Sequence, residues 1–162
     1  MARVAAQGSH DRPGLVSRVQ ETVGGVPGWS IEYGGESFAR FYRSLPEYEQ
    51  AVLTAALEHV LRVHGIDICA GEWGKPLGHG LYEFRVRRSL DASLTAAGLD
   101  PRSLSGVDRS VLIRVFCTFH GDRIVVLHHG YDKKRDPSLK RQQKEIAKAR
   151  KIHEAWRRDR RR

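Results

Sequence analysis

Several features that mark large classes of protein are scarce or absent in this sequence. Its 162 residues include only two cysteines, Cys69 and Cys117, too few for a disulfide framework and not spaced as metal ligands. No apolar run approaches the ~18–20 residues that a membrane-spanning helix needs. No apolar segment follows the first charges, so we expect no signal peptide. These absences predict a cytoplasmic protein with reduced cysteines and no membrane partner.

The local motifs of common cofactor and catalytic sites are also missing. No glycine-rich segment has Walker or dinucleotide-binding spacing between a strand and a helix, and no nucleophile elbow is visible. His128 and His129 are neighbours in an apolar, strand-like run, and a regular strand points neighbours to opposite faces. They are therefore not expected to share a metal ion. The sequence predicts neither a cofactor nor a metal site.

Positive charge is concentrated at the end of the chain. The whole chain has a formal net charge of +9. Residues 133–162 hold 14 of the 28 lysines and arginines but only four acids, a net +10, so the preceding residues carry a net −1. A local cationic field of this kind favours nucleic acid or an acidic partner. A solvated basic helix without a dedicated ligand is the alternative.

Hydrophobic periodicity predicts two helices near the start of a folded domain. Residues 1–28 contain several glycines and prolines and no sustained period, which is typical of a flexible extension. A first strand is predicted at 29–33. Ser37 is expected to cap a short helix, because apolar residues follow it at helical spacing. A second helix is predicted from Pro46 to about His64.

The rest of the domain is predicted to be a small sheet followed by a helix. Residues 66–80 suggest a loop, and 81–87 alternate as a strand with one polar face. After a predicted insertion at 89–110, residues 111–136 indicate two strands joined by a tight turn and followed by cations. A last helix is expected to begin at Asp136, with a frayed basic tail at 157–162. Its apolar stripe comprises Leu139, Ile146, Ala149, Ile152 and Trp156.

The predicted fold class is α+β. We expect a small, mainly antiparallel sheet with the N-terminal helical pair on one face, and a C-terminal helix, in a domain over residues 29–156. The polar face of the sheet is expected to stay open to solvent.

The cations on and after the hairpin predict an anion-binding face. RNA is cleaved without metal when its 2′-OH is deprotonated, the phosphorane is stabilised and the leaving 5′-oxygen is protonated. Arg85 and Arg114 suit the middle task, because a guanidinium holds phosphate oxygens bidentately and stays charged. A lysine crowded by other cations, or His129 or Tyr131, suits proton transfer. The structural alternatives are ion pairs for the arginines and a packed, hydrogen-bonded role for His129.

Three segments, in order, resemble the RelE/HigB-type toxins of type II toxin–antitoxin systems, especially the phage-derived HigB-like branch. They are KPLGHGLYEFRVR at 75–87, RVF at 114–116 and VVLHHGYDKKRDP at 125–137, followed by a helix containing Glu145 and Ala149. The resemblance covers about residues 29–156. Phe84 stands where the family usually has leucine, and Tyr131 where it usually has phenylalanine; the extension and the insertion are larger departures.

The resemblance implies a RelE-like fold and an endoribonuclease, an mRNA interferase acting on ribosome-bound mRNA. Its implied partner is a cognate antitoxin, commonly a helix-turn-helix protein. By position, the resemblance implies that Arg85 and Arg114 stabilise the phosphate and that Lys133 and Lys134 bind substrate or take part in catalysis. His129 and Tyr131 complete the expected catalytic set as the candidates for proton transfer, and the expected RNA-binding residues are Lys75, Arg87, Arg135 and Lys140. Two other functions stay open: a non-catalytic nucleic-acid-binding module and a gyrase inhibitor of the ParE branch.

Overall fold

The computed structural model describes residues 28–87 and 109–162, the single residues Ser89, Ala92 and Thr95, and the backbone of two short strands. These strands, β1 (Thr22–Val23) and β2 (Val26–Pro27), form a two-stranded antiparallel ladder. Most of the predicted extension at 1–28 and of the predicted insertion at 89–110 lies outside the described residues.

The main sheet has five strands in the spatial order β3-β7-β6-β5-β4. They are β3 (Ser30–Tyr33), β4 (Gly74–Gly78), β5 (Leu81–Val86), β6 (Ile113–His120) and β7 (Ile124–Asp132). Three neighbouring pairs are antiparallel, and β3 joins β7 in parallel. The predicted α+β class with a mainly antiparallel sheet is therefore confirmed. Strand β4 was predicted as loop, because its GKPLG sequence combines residues that are rare in strands.

Two consecutive helices cover one face of this sheet. They are α1 (Glu36–Ser44) and α2 (Glu47–Ala56), and α2 continues through a π-helical segment, Leu57–Leu61, and a last turn, Arg62–His64. Gly65, with a φ of 51°, ends the second helix as a left-handed cap, and a 3₁₀ segment, Gly65–Ala70, follows. The main core lies between these helices and the sheet and includes Ile31, Phe38, Val52, Leu53, Leu61, Phe84, Ile113, Val115 and Leu127.

The alternation in β5 predicted that the other face of the sheet stays open to solvent. This prediction was wrong, because the C-terminal helix lies across that face. This helix, α3 (Leu139–Arg160), packs on a second cluster formed by Leu81, Phe116, Tyr131 and Ala149. Its buried residues are Glu145, Ala149 and His153, four residues apart, whereas Leu139 of the predicted stripe is 67% exposed. Apolar periodicity does not predict this buried side of the helix, because two of its three residues carry a carboxylate or an imidazole.

The bounds of α3 differ from the prediction at both ends. The N-cap is Ser138, whose hydroxyl accepts a hydrogen bond from the Arg141 N–H at 3.2 Å, instead of Asp136. Asp136 accepts from the N–H of Ser138 at 3.1 Å, which forms the turn before the helix. The helix continues to Arg160, into the segment that was expected to fray. None of the helices in the described part of the chain is both long and apolar enough to cross a lipid bilayer.

Strand β7 contains a bulge that places two histidines against the same helix. Phe116 pairs with His129 and Cys117 pairs with Leu127, so His128 is the extra residue of β7. The ring of His128 lies 5.1 Å from the ring of His153 on α3. His129 also contacts α3, through Glu145. The prediction that these two histidines point to opposite faces was therefore wrong, because it assumed a regular strand.

Candidate functional site

Arg85 and Arg114 lie directly opposite each other on β5 and β6, on the face of the sheet that the sequence allowed them to share. The carboxylate of Glu83 lies between them, with its Oε1 at 2.8 Å from Arg85 Nε and 3.4 Å from Arg114 Nε. Glu83 is fully buried and Arg114 is only 3% exposed. The two arginines are therefore held together on one face of the sheet by an anion that belongs to the protein itself.

This Arg85–Glu83–Arg114 cluster keeps an excess of positive charge. Burial lowers the pKa of Arg114 below its ordinary value and Glu83 opposes that shift, but a guanidinium stays charged at neutral pH. One carboxylate balances only one of the two guanidinium charges. The Arg85 side chain is 20% exposed, against 4% for Arg114. A phosphate approaching from solvent would therefore reach Arg85 first, with Arg114 behind it.

The two lysines after β7, Lys133 and Lys134, make different contacts. Burial lowers the pKa of Lys133, and the positive charge of Arg114 adds to this shift. Lys133 Nζ also donates to Gln142 Oε1 of α3 at 3.4 Å. Lys134 instead donates from its Nζ to the carbonyl oxygen of Ser110 at 3.2 Å and is exposed. The two adjacent lysines, predicted as equivalent, thus have different surroundings.

His129 lies at the centre of a hydrogen-bonded chain that connects three elements. Its Nδ1 is 2.8 Å from Ser37 Oγ on α1, and its Nε2 is 2.5 Å from Glu145 Oε2 on α3. Arg141 Nε donates to the other oxygen of Glu145 at 2.9 Å. Helix α1 accordingly has Gly35 as its N-cap and no side-chain capping bond. The predicted capping role of Ser37 was wrong, because its hydroxyl contacts His129.

The pKa shifts of His129 and Glu145 indicate which of the two groups carries a charge. Burial lowers the pKa of His129, although its hydrogen bond to Glu145 opposes the shift, so the imidazole is neutral at pH 7. Burial would raise the pKa of Glu145, but the hydrogen bond from His129 and the charge of Arg141 bring it below the ordinary value. A neutral His129 therefore donates its Nε2–H to a carboxylate. Its Nδ1 then accepts a hydrogen bond from the Ser37 hydroxyl.

A groove of about 300 Å³ lies between α1, the end of β7 and α3. His129, Tyr131, Arg135, Arg141, Glu145 and Lys148 line its polar part. Tyr131 connects this groove with the cation cluster, because it pairs with Arg114 across the β6–β7 ladder. Burial raises the pKa of Tyr131, so the phenol holds its proton at neutral pH, and its hydroxyl has no hydrogen-bond partner among the described residues. Tyr131 therefore holds a proton on a hydroxyl that is buried from solvent.

The other residues predicted to bind RNA are exposed. They lie on β4, after β5, after β7 and on the first turn of α3, and are Lys75, Arg87, Arg135 and Lys140. Arg87 and Arg85 line the same small recess beside Trp73. Arg135 forms an ion pair with Asp132, with Nε and Oδ2 3.5 Å apart, at the edge of the groove. Lys75 and Lys140 line neither the recess nor the groove.

Sequence reasoning missed three residues of this site: Glu83, Ser37 and Glu145. Glu83 alternates with Arg85 on β5, so the pattern places both on one face, but it does not show that Glu83 also contacts Arg114. Ser37 and Glu145 are 92 and 16 residues from His129. No local motif brings them together, and only the packing of α1 and α3 beside β7 does so.

Comparison of the chain with protein-family models, with curated proteins and with solved structures gave no match. Within the described ranges, no group of three or more His, Cys, Asp or Glu side chains is arranged to hold a metal ion. The resemblance to RelE/HigB-type toxins therefore stays a prediction, and the functional argument depends on the geometry of the site.

Proposed function

We propose that this protein is an RNA-cleaving toxin of the RelE/HigB type, a metal-independent endoribonuclease with a helix-turn-helix antitoxin as its partner. One observation carries the proposal: Arg85 and Arg114 lie together on a sheet face that Tyr131 connects with the His129–Glu145 pair. Cations for the phosphate and groups that exchange protons are the two components that metal-free RNA cleavage requires.

The proposed reaction assigns a step to each part of the site. The phosphate lies against Arg85 and Lys133, with Arg114 adding charge from behind. The 2′-OH replaces the Ser37 hydroxyl at His129 Nδ1, which takes its proton as the 2′-oxygen attacks phosphorus. The cations stabilise the phosphorane, and Tyr131 gives its proton to the leaving 5′-oxygen. The products are a 2′,3′-cyclic phosphate and a 5′-hydroxyl end.

The exposed cations of α3 support the proposal that the substrate is mRNA bound to the ribosome, where much RNA surrounds the protein. Lys140, Lys144, Lys148 and Lys151 are all exposed on this helix. Cations of this kind attract a phosphate backbone without reading its sequence. The proposal takes two further points from the family resemblance. The target is mRNA bound to the ribosome, and the protein acts in the cytoplasm.

The test compares two adjacent lysines in a cleavage assay. Purified protein is incubated with 5′-labelled mRNA, with and without ribosomes, in the presence of EDTA. Lys133→Met should lower the cleavage rate about 10²-fold, the usual size of such a contribution. Lys134→Met is the matched control and should change the rate less than about twofold, because its ammonium group is exposed and donates to the Ser110 carbonyl oxygen. Equal rates for both variants would contradict the assigned site.

A second candidate function is nucleic-acid binding without cleavage, favoured by the exposed cations of α3. It predicts affinity that falls steeply with salt and no cleaved product in the same assay. A ParE-like gyrase inhibitor predicts inhibited DNA supercoiling and intact mRNA. End-group analysis of the RNA and a supercoiling assay therefore separate the three functions.

A further inference from the structure

Ser37, His129 and Glu145 are arranged as a nucleophile, a base and an orienting carboxylate. The Ser37 hydroxyl lies 2.8 Å from one ring nitrogen of His129, and the Glu145 carboxylate lies 2.5 Å from the other. The three side chains come from α1, β7 and α3, so the arrangement depends on the tertiary fold. A hydroxyl in contact with an imidazole that a carboxylate orients is the arrangement that activates serine for nucleophilic attack.

The charges around His129 favour its function as a base. Burial lowers its pKa, so the ring is neutral and its Nδ1 is free to receive the serine proton. Glu145 is an anion and is held by Arg141, which fixes the direction of the Nε2–H bond. The positive charges of Lys148 and Arg141 also lower the pKa of His129, so both oppose protonation of its ring.

The local chain around Ser37 also has the order of elements found at serine nucleophiles. Strand β3 is followed by Gly34 and Gly35, and Ser37 stands in the first turn of α1. The sequence Gly35-Glu36-Ser37-Phe38-Ala39 has Gly-x-Ser-x-Ala spacing between a strand and a helix, with alanine where the nucleophile elbow usually has glycine. This substitution is why the sequence shows no standard elbow motif.

Ser37 lies in the first turn of α1, after two glycines that differ in packing. Its side chain is partly exposed. A Cβ atom added at Gly35, two residues earlier, would meet nothing within 4 Å. By contrast, a Cβ at Gly34 would lie 2.5 Å from His128 Nδ1, so a larger residue at this position would clash with the His128 ring. Gly35 is therefore open to solvent, whereas Gly34 is packed against β7.

We propose that Ser37, together with the His129–Glu145 pair of the proposed ribonuclease site, also hydrolyses small carboxylic esters. Ser37 Oγ attacks the ester carbonyl carbon while His129 Nδ1 takes the hydroxyl proton. The tetrahedral intermediate collapses, the alkoxide leaves with the proton from His129, and an acyl group remains on Ser37. Water then attacks the acyl-serine with His129 as base, which releases the acid and restores the hydroxyl.

The experiment measures labelling and turnover of the full-length chain. A fluorophosphonate probe should modify Ser37, as located by peptide mass mapping, and p-nitrophenyl acetate should be hydrolysed above the buffer rate. Ser37→Ala should abolish the labelling and reduce hydrolysis at least about tenfold. Ser44→Ala is the matched control: it removes a hydroxyl from the same helix whose Oγ donates to the Phe41 carbonyl oxygen at 2.6 Å, and it should keep both activities.

A purely structural chain of hydrogen bonds gives different results. In that case the wild-type protein is not labelled at Ser37 and hydrolyses the ester no faster than Ser37→Ala, and either outcome overturns the proposal. Labelling in the wild-type protein decides the question even if Ser37→Ala fails to fold. The rate should also fall with an apparent pKa below 6.5 as pH decreases, because protonated His129 cannot accept the serine proton.

Discussion

Glu83 and Arg114 form an ion pair inside the protein, with Arg114 Nε 3.4 Å from Glu83 Oε1. The carboxylate also contacts Arg85, so one buried anion positions two guanidinium groups that would otherwise repel each other. Cations that are already in place need no reorganisation when charge develops on a substrate. Glu83 is therefore the residue that assembles the proposed phosphate site, although it is not expected to touch RNA.

The first prediction concerns the stability that this carboxylate provides. Glu83→Gln should lower the free energy of unfolding by about 3 kcal/mol, because it leaves the buried charge of Arg114 without its counter-ion. The change is measured by guanidinium chloride denaturation. Glu154→Gln, which removes an exposed carboxylate from α3, should change stability by less than about 0.5 kcal/mol. Similar values for the two variants would show that the pair does not stabilise the fold.

The second prediction concerns the contact between β7 and α1. A Cβ atom at Gly130 would lie 2.6 Å from the Phe41 ring and 3.1 Å from the Arg114 carbonyl oxygen. Gly130→Ala should therefore cost about 1–3 kcal/mol of stability through overpacking. Gly121→Ala is the control, since its Cβ would meet nothing within 4 Å. Urea denaturation compares them, and an equally stable Gly130→Ala protein would mean that α1 does not pack so closely here.

The elements that the sequence predicted are those with a clear hydrophobic period. The two early helices, the end of the second at Gly65, and strands β5, β6 and β7 all follow from such patterns. That Arg85 and Arg114 can share a face of the sheet follows as well, from the alternation in β5 and β6.

The errors have physical causes that no periodicity records. Strand β4 consists of glycine, lysine, proline and leucine, which have little strand preference. The bulge at His128 adds one residue without changing the apolar pattern of β7. Helix α3 buries Glu145 and His153, so its packing on the sheet depends on specific hydrogen bonds and ring contacts more than on an apolar stripe.

The third prediction concerns acid pH and follows from the burial of His128. Burial lowers its pKa to about 3, and the nearby His153 and His120 add to the shift. The unfolded chain binds a proton near pH 6.5, whereas the folded chain does not until about pH 3. Stability should therefore fall as the pH decreases below about 6.5, and His128 should account for about 2 kcal/mol between pH 7 and pH 5.

Denaturation curves at pH 7 and pH 5 check this prediction. His128→Asn should reduce the loss of stability between the two pH values, because the group whose pKa is depressed is gone. His64→Asn, which replaces an exposed histidine at the end of the second helix, should keep the wild-type loss. An unchanged pH dependence in His128→Asn would show that this imidazole is not the group that titrates.

The fourth prediction concerns the electrostatic contribution of α3 to RNA binding. Replacing Lys144, Lys148 and Lys151 with glutamine removes three exposed cations from one helix. If all three neutralise phosphates of single-stranded RNA, the slope of log affinity against log salt concentration should decrease by about 2. Filter binding at several salt concentrations measures the slope. An unchanged slope would place the RNA away from α3.

The central claim is that the Arg85–Glu83–Arg114 cluster stabilises the phosphorane during metal-free RNA cleavage. The most direct test is the single-turnover cleavage rate of a defined mRNA on ribosomes in EDTA, for the wild type and for Arg85→Met. The variant removes the more exposed arginine and keeps the Glu83–Arg114 pair; Arg43→Met, an exposed arginine of α1, is the control. We predict 2′,3′-cyclic phosphate ends from the wild type and the control, and a rate at least about 10²-fold lower for Arg85→Met. Intact RNA with the folded wild-type protein, or equal rates for both variants, would contradict the claim.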